Sequence, residues 1–187
     1  MKLLKQAVLP VAAVSMLALG ACTAVADNPE VGGAPMYESK TIVENAMNSD
    51  DHTTLVAAVK AAGLVDTLQG DGPYTVFAPT NAAFAKLPEG TVENLLKPEN
   101  KETLTKILTC HVLAAKALSD PIKQMVDNDG GTLAVKTVGG CQFTAMYDKD
   151  KIMIKDGQGN IANVTIEDVK QSNGVIHVID TVLLPSS

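Results

Sequence analysis

One run near the C-terminus, from Asn173 to Pro185, constrains the fold more than any other part of the sequence. It opens with an Asn-Gly turn signal, continues in β-branched and aliphatic residues and stops at a proline, which is typical of one strand. Side chains alternate between the faces of a strand, and both faces here are largely apolar, so we expect a central strand covered on both sides. His177 and Asp180 lie within it and therefore need hydrogen-bonding partners in the interior.

The elements before this run change in character near Pro121. Upstream, apolar residues recur mostly at helical spacing; downstream, short alternating runs are separated by glycine-containing turns. Helices are predicted around residues 42–46, 51–64, 81–87, 92–96 and 102–108, and strands around 74–78, 132–135, 142–146, 151–154 and 161–166. This order of elements, with helices first and a meander of strands second, predicts the α+β class and not a doubly wound parallel sheet.

The N-terminus has the composition of an export signal. Residues 1–21 combine two lysines with an apolar run about fifteen residues long, which is shorter than the roughly 20 residues of a membrane span. The segment ends in Leu-Gly-Ala-Cys, which resembles a bacterial lipobox and predicts cleavage before Cys22 and lipid attachment to its sulfur. The alternative is cleavage after Ala26, at an A-x-A site, which would release a soluble protein.

Residues 22–35 are small, polar and rich in turn formers, so a lipid-anchored flexible tether is predicted there. Residues 36–187 are then expected to form a single domain, since their number suffices for one good core and not for two. Thr23 after the lipid-bearing cysteine favours the outer membrane, on its periplasmic or its surface face. A soluble periplasmic or secreted protein is the alternative.

Composition argues against a nucleic-acid partner. All 15 cations are lysine and the formal net charge is −6. Nucleic-acid binding relies on clustered cations, and bidentate base readout favours arginine. With no Trp, three Phe and three Tyr, stacking platforms are also scarce.

Two motifs in combination resemble those of the fasciclin domain. The upstream motif runs from Thr75 to Phe84, the downstream one from Asn173 to Asp180, and Cys110-His111 stands between them where the family usually has Tyr-His. The motif residues are Thr75, Phe77, Pro79, Thr80, Asn81, Phe84, His111, Asn173, Gly174, His177 and Asp180. The resemblance implies a wedge-shaped β-sandwich with several helices packed on it, in a secreted or surface-held domain used for adhesion or protein contact without known catalysis.

Once Cys22 is lipidated, Cys110 and Cys141 are the remaining thiols in an oxidising compartment, which favours a disulfide between them. Two buried free thiols are the alternative. Neighbours on an extended segment point to opposite sides, so Cys110 and His111 are not expected to form a catalytic dyad.

The histidines show no metal-ligand spacing, and no metal or cofactor is expected. His52 is predicted to be exposed near a helix N-terminus, whereas His111 and His177 are predicted to be neutral core imidazoles.

Glu167-Asp168-Val169, just before the second motif, stands where an Asp followed by a β-branched residue has been linked to integrin recognition in animal fasciclin domains. The sequence offers it as a protein-contact surface; a strand edge with solvated acids is the alternative.

Two functions remain open from the sequence. The first is a non-catalytic surface or periplasmic module for cell adhesion or protein–protein interaction, with a protein or cell-surface ligand as partner. The alternative is a periplasmic structural or regulatory domain that binds an envelope protein or a small ligand. No enzyme is predicted, because no arrangement of nucleophile, base and metal can be written from these residues.

Overall fold

The computed structural model describes residues 28–149 and 151–186, so the predicted signal peptide (residues 1–21) and Cys22 lie outside the described residues. The described helices are α1 (Ile42–Ala46), α2 (Thr53–Ala62), α3 (Val65–Gln69), α4 (Asn81–Ala85), α5 (Thr91–Leu95), α6 (Lys101–Cys110) and α7 (Ser119–Asn128). The strands are β1 (Glu30–Val31), β2 (Ala34–Pro35), β3 (Tyr74–Pro79), β4 (Val112–Leu113), β5 (Leu133–Lys136), β6 (Gln142–Asp148), β7 (Lys151–Lys155), β8 (Ile161–Gln171) and β9 (Gly174–Ile179).

Seven strands form one continuous sheet in the order β4-β3-β9-β8-β7-β6-β5. Only β3 and β9 pair in parallel, and the two sequence motifs therefore lie side by side, with Phe77 opposite His177. The remaining pairs in this sheet are antiparallel. The α+β class and the β-sandwich with packed helices are confirmed.

The long strand β8 belongs to both halves of the sandwich. Its register against β9 shifts between Val164 and Ile166 and again between Ile166 and Val169. Bulges of this kind bend a strand and increase its twist, so the sheet curls until its two edge strands approach each other.

A disulfide fastens the two edges at one end of the sandwich. Cys110, at the end of α6, is bonded to Cys141, with their Cα atoms 5.4 Å apart. The Val138 N–H donates to the Val112 carbonyl across the same gap, at 2.8 Å. The predicted disulfide is confirmed.

Strand β9 is buried along its whole length, as its two apolar faces predicted. Ile176 and Val178 face the helical layer, whereas Ile179 packs with Phe77 in the core inside the sandwich. The strand ends at Ile179, earlier than the predicted Pro185, because the backbone turns at Asp180.

Helix α7 is not among the helices predicted from the sequence, which changes in character near Pro121. Pro121 is the third residue of this helix. A proline in the first turn removes an N–H that has no partner within the helix, so the helix tolerates it. Ile122 and Val126 form its buried face.

The folded unit begins before Met36, and the prediction of a flexible tether is wrong for residues 29–35. Strands β1 and β2 form a hairpin, and the Met36 N–H donates to the Pro29 carbonyl at 2.9 Å. Val31 is buried in the helical-side core. The turn residues were correctly identified, but they close a hairpin whose Val31 and Ala34 side chains pack in the core.

Replacing Val31 by Ala should therefore lower the free energy of unfolding by about 2 kcal/mol, since two buried methyl groups are lost. Glu30→Ala is the matched control, because Glu30 is exposed in the same strand; we expect a change within about 0.5 kcal/mol. Urea unfolding of both variants measures this. Equal stability of Val31→Ala and wild type would place the hairpin outside the cooperative unit.

Candidate functional site

Buried polar side chains of the two motifs converge on one connection, residues 113–119, which links β4 to α7. We refer to it as the 113–119 segment. Thr75 from β3, His177 from β9 and Asp168 from β8 each bond to it. Three adjacent strands thus fix a segment that has no regular structure of its own beyond its ends.

Thr75 makes two of these bonds with one hydroxyl group. Its Oγ1 donates to the Ala115 carbonyl at 2.6 Å and accepts from the Ala117 N–H at 2.8 Å. The side chain is fully buried. A valine of the same shape would leave both backbone groups without these partners.

His177 bridges two backbone segments with its two ring nitrogens. Nε2 lies 2.8 Å from the Ala117 carbonyl and must donate to it, whereas Nδ1 accepts from the Asp168 N–H at 3.3 Å. The imidazole is therefore neutral, as predicted. Burial lowers the pKa of His177, and the nearby carboxylates of Asp168 and Glu167 only oppose this in part.

Asp168 holds the start of helix α7. Its carboxylate accepts from the Ser119 N–H at 2.8 Å and from the Ser119 hydroxyl at 2.5 Å. A carboxylate at a helix N-terminus is favoured by the helix dipole. Asp168 has φ +56°, in the left-handed region that Asp tolerates better than most residues, within the second bulge of β8.

The contact surface expected at Glu167-Asp168-Val169 stays a prediction, and the structure shows what these three residues contact within the molecule. Val169 is fully buried. Glu167 pairs with Lys123 at 3.6 Å and accepts from the Ile152 N–H at 3.4 Å. Glu167 and Asp168 are both partly exposed, and the bulge turns the Asp168 carboxylate toward Ser119, which the sequence does not reveal.

An apolar groove of about 360 Å³ opens beside the 113–119 segment. The segment forms one wall, β5 forms the other, and residues of α7 lie along it. All its lining residues are apolar except Lys136: Phe77, Leu113, Ala114, Ala115, Ala117, Ile122, Met125, Leu133, Ala134, Val135, Ala145 and Ile154. Its volume lies in the range of ligand sites in proteins.

The comparison with known proteins agrees with this architecture. The family model described as the Fasciclin domain matches residues 50–185. This chain belongs to the fasciclin family. Protein sll1483 of Synechocystis sp. is 46% identical to it over 157 residues, which cover 83% of this chain and 79% of that protein.

Two further relatives of this fasciclin domain have descriptive names. The cell surface glycolipoprotein MPB83 of Mycobacterium bovis is 34% identical over 179 residues, covering 92% of this chain and 74% of that protein. The transforming growth factor-beta-induced protein ig-h3 of Sus scrofa is 36% identical over 138 residues, but these span only 18% of that protein.

A solved FAS1 domain pair from the insect cell adhesion molecule Fasciclin I superposes with a TM-score of 0.70 at 18% identity. The match covers 78% of this chain and 51% of that one, so this chain spans about half of the pair. At this identity the likeness shows the shared fold.

The other amide and hydroxyl groups of the fasciclin motifs join elements in the same way. Asn173 accepts from the Ile42 N–H at 3.0 Å and donates to the Leu68 carbonyl at 2.8 Å. Asn81 accepts from the Thr54 N–H at 3.0 Å. Thr80 caps α4 through the Ala83 N–H, at 3.2 Å.

The remaining motif residues fill space in the interior. Phe77 stacks on His177, with ring centroids 5.8 Å apart. Phe84 is buried among the helices, and Pro79 closes β3 opposite Ile179. At Gly174 a Cβ atom would overlap the Tyr74 carbonyl, so the close approach of β9 to β3 requires glycine.

His111 is a second buried imidazole with both nitrogens engaged, as predicted. Nδ1 donates to the Ile107 carbonyl at 2.8 Å, and Nε2 accepts from the Leu183 N–H at 2.9 Å. Burial lowers the pKa of His111 to about 4, against opposing effects of the Ile107 carbonyl and the Asp156 charge.

Two sequence predictions about polar residues are wrong. His52 is buried beside Val31, Ala78 and Ile176, with Nδ1 2.9 Å from the Ser49 hydroxyl, and burial lowers its pKa. Asp180 is not an interior residue, since 32% of its side chain is exposed. Burial opposes its ionisation, but hydrogen bonds from Asn163 and Thr181 and the charge of Lys86 lower the pKa of Asp180.

The arrangement of Ser119, Asp168 and His177 is unlike that of a catalytic triad. Asp168 bonds Ser119 directly, whereas His177 bonds backbone groups with both nitrogens and cannot act as a base toward Ser119. The Cys110 sulfur is held in the disulfide. Within residues 28–149 and 151–186, no group of three or more His, Cys, Asp and Glu side chains is arranged to hold a metal ion.

The three buried histidines predict that the free energy of unfolding decreases at acid pH. A His whose folded-state pKa lies below its unfolded value binds fewer protons when folded, so its contribution is complete above pH 6.5 and is lost as pH falls toward the folded value. For His111, with a folded pKa of about 4, the loss amounts to about 3 kcal/mol. His52 and His177 shift in the same direction.

Urea unfolding between pH 8 and pH 4 should therefore show a free energy of unfolding that is nearly flat above pH 7 and falls steeply below pH 6. The imidazole NMR signals of His111 in the folded protein should meanwhile keep their neutral positions at pH 5.5. A constant free energy from pH 7 to pH 5 would contradict this account.

Thr75→Val should lower the free energy of unfolding by about 2 kcal/mol, because the Ala115 carbonyl and the Ala117 N–H lose their shared partner. Amide exchange at Ala117 should accelerate more than exchange in β9. Thr132→Val is the matched control, since Thr132 is exposed just before β5. Unchanged exchange at Ala117 would show that Thr75 does not hold the segment.

Proposed function

We propose that this chain is an exported, lipid-anchored fasciclin module that makes contacts with a protein or cell-surface ligand and catalyses no reaction. The observation that carries the proposal is what the polar side chains beside the groove bond to. The motif residues Thr75 and His177, together with Asp168, hold the wall of an apolar groove through hydrogen bonds, and none is free for chemistry.

The relatives support a place at the cell envelope. One is named as a cell surface glycolipoprotein, and the solved domain pair comes from a cell adhesion molecule. Among the described residues, no helix is both long and apolar enough to cross a bilayer. The attachment we propose is a lipid on Cys22, at the lipobox-like end of residues 1–21.

Labelling cells with an alkyne fatty acid tests the anchor. We expect label on the wild-type protein and its recovery with the outer membrane, whereas Cys22→Ala should lose the label. Cys141→Ser is the control for cysteine loss as such and should keep the label. An unlabelled wild type would refute the lipid anchor.

Crosslinking on intact cells tests contact. The protein is rich in lysine, so a lysine-reactive crosslinker followed by mass spectrometry should give adducts with a defined protein partner. Those adducts should be absent from cells that lack this chain. If no specific protein adduct formed, the proposal of a contact module would be overturned.

A further inference from the structure

The groove is an open seam between the two edges of the curled sheet. At one end the edges meet, where the Val138 N–H bonds the Val112 carbonyl and the Gly139 N–H bonds the Thr109 carbonyl. Beyond Leu113 the 113–119 segment turns away toward β3, held by Thr75. Strand β5 does not bend in the same direction, so the gap between the two edges of the sheet widens.

The wall formed by β5 offers unpaired backbone groups. The Thr137 N–H donates to the Cys141 carbonyl at 2.9 Å. With the register of β5 against β6, this bond shows which residues of β5 direct their backbone groups toward β6. Because successive backbone groups of a strand point in opposite directions, those of Ala134 and Lys136 point away from β6, into the seam. Strand β5 is an edge strand that pairs with β6, and within residues 28–149 and 151–186 these groups form no backbone hydrogen bond to another element.

The shape and charge of the seam specify what would fill it. Four unpaired N–H and C=O groups over alternate residues match an added strand. The floor is apolar, with Phe77, Ala145 and Ile154, and the opposite wall carries small alanine side chains that leave room for a backbone. The one charged residue of the lining is Lys136, whose side chain is exposed and can meet a carboxylate of a bound segment.

We propose that the groove binds an extended segment of a partner protein, which pairs with the edge of β5, buries alternate apolar side chains and places an Asp or Glu against Lys136. The inference rests on the proposed contact function and specifies its surface. The 113–119 segment, held by the buried Thr75 and His177 and by the partly buried Asp168, serves as the opposite wall of the binding site.

A synthetic peptide tests this on the full exported protein. The probe is the acetylated, amidated hexapeptide Val-Thr-Val-Asp-Val-Thr, titrated while amide NMR signals are followed. We expect shift changes in β5 and in the 113–119 segment. Ala134→Pro should weaken binding at least about tenfold, because it removes one seam-facing N–H without breaking a bond to β6.

Ala134→Thr is the matched control, since it keeps the N–H and should bind as wild type does. Lys136→Glu should weaken the Asp peptide about fivefold and favour a Lys version of the same peptide. Each variant is first compared with wild type in thermal unfolding. If Ala134→Pro does not fold, the reversed peptide preference of Lys136→Glu is the deciding measurement.

Several outcomes would overturn the proposal. These are shift changes elsewhere on the protein, no binding, or equal binding by Ala134→Pro. If sedimentation showed wild-type dimers that Ala134→Pro abolishes, the occupant would be a second copy of this chain instead. If Ala134→Pro kept the cellular crosslinks of the wild type, contact would stand as the function and the groove would be excluded as its site.

Discussion

The parallel pairing of β3 with β9 is the contact on which the rest of the structure depends. It brings together two motifs that are far apart in sequence, with Tyr74 opposite Gly174 and Pro79 opposite Ile179. A parallel pair is usually buried on both faces. Here the helices cover one face and the other lies inside the sandwich, so both strands are apolar and polar groups within them require partners.

Polar side chains of the paired strands hold the irregular backbone of the 113–119 segment in place. Thr75 and His177 reach the 113–119 segment from adjacent strands, and Asp168 completes the support from the neighbouring bulge. A buried hydroxyl or imidazole is costly unless it is bonded, and here each bonds a backbone group that would otherwise lack a partner. The same design makes stability depend on neutral imidazoles, and thus on pH.

Much of the fold could be predicted because it depends on local patterns. The two apolar faces of β9 follow from alternation, and the capping of α4 by Thr80 follows from its side chain. Helix α7 could not be predicted, since a proline reads as a break until its place in the first turn is known. His52 was misjudged because its burial depends on elements distant in sequence.

The sequence by itself determined the family, the class of fold and the central strand, because motif spacing and residue periodicity are properties of the chain. It favoured the pairing of Cys110 with Cys141, which the folded structure then showed. Only the tertiary structure decided where a partner could bind. The bulge in β8 turns the Asp168 carboxylate toward Ser119 at the start of α7. The curl of the sheet leaves one edge of β5 unpaired beside the 113–119 segment, and the two come together only after folding.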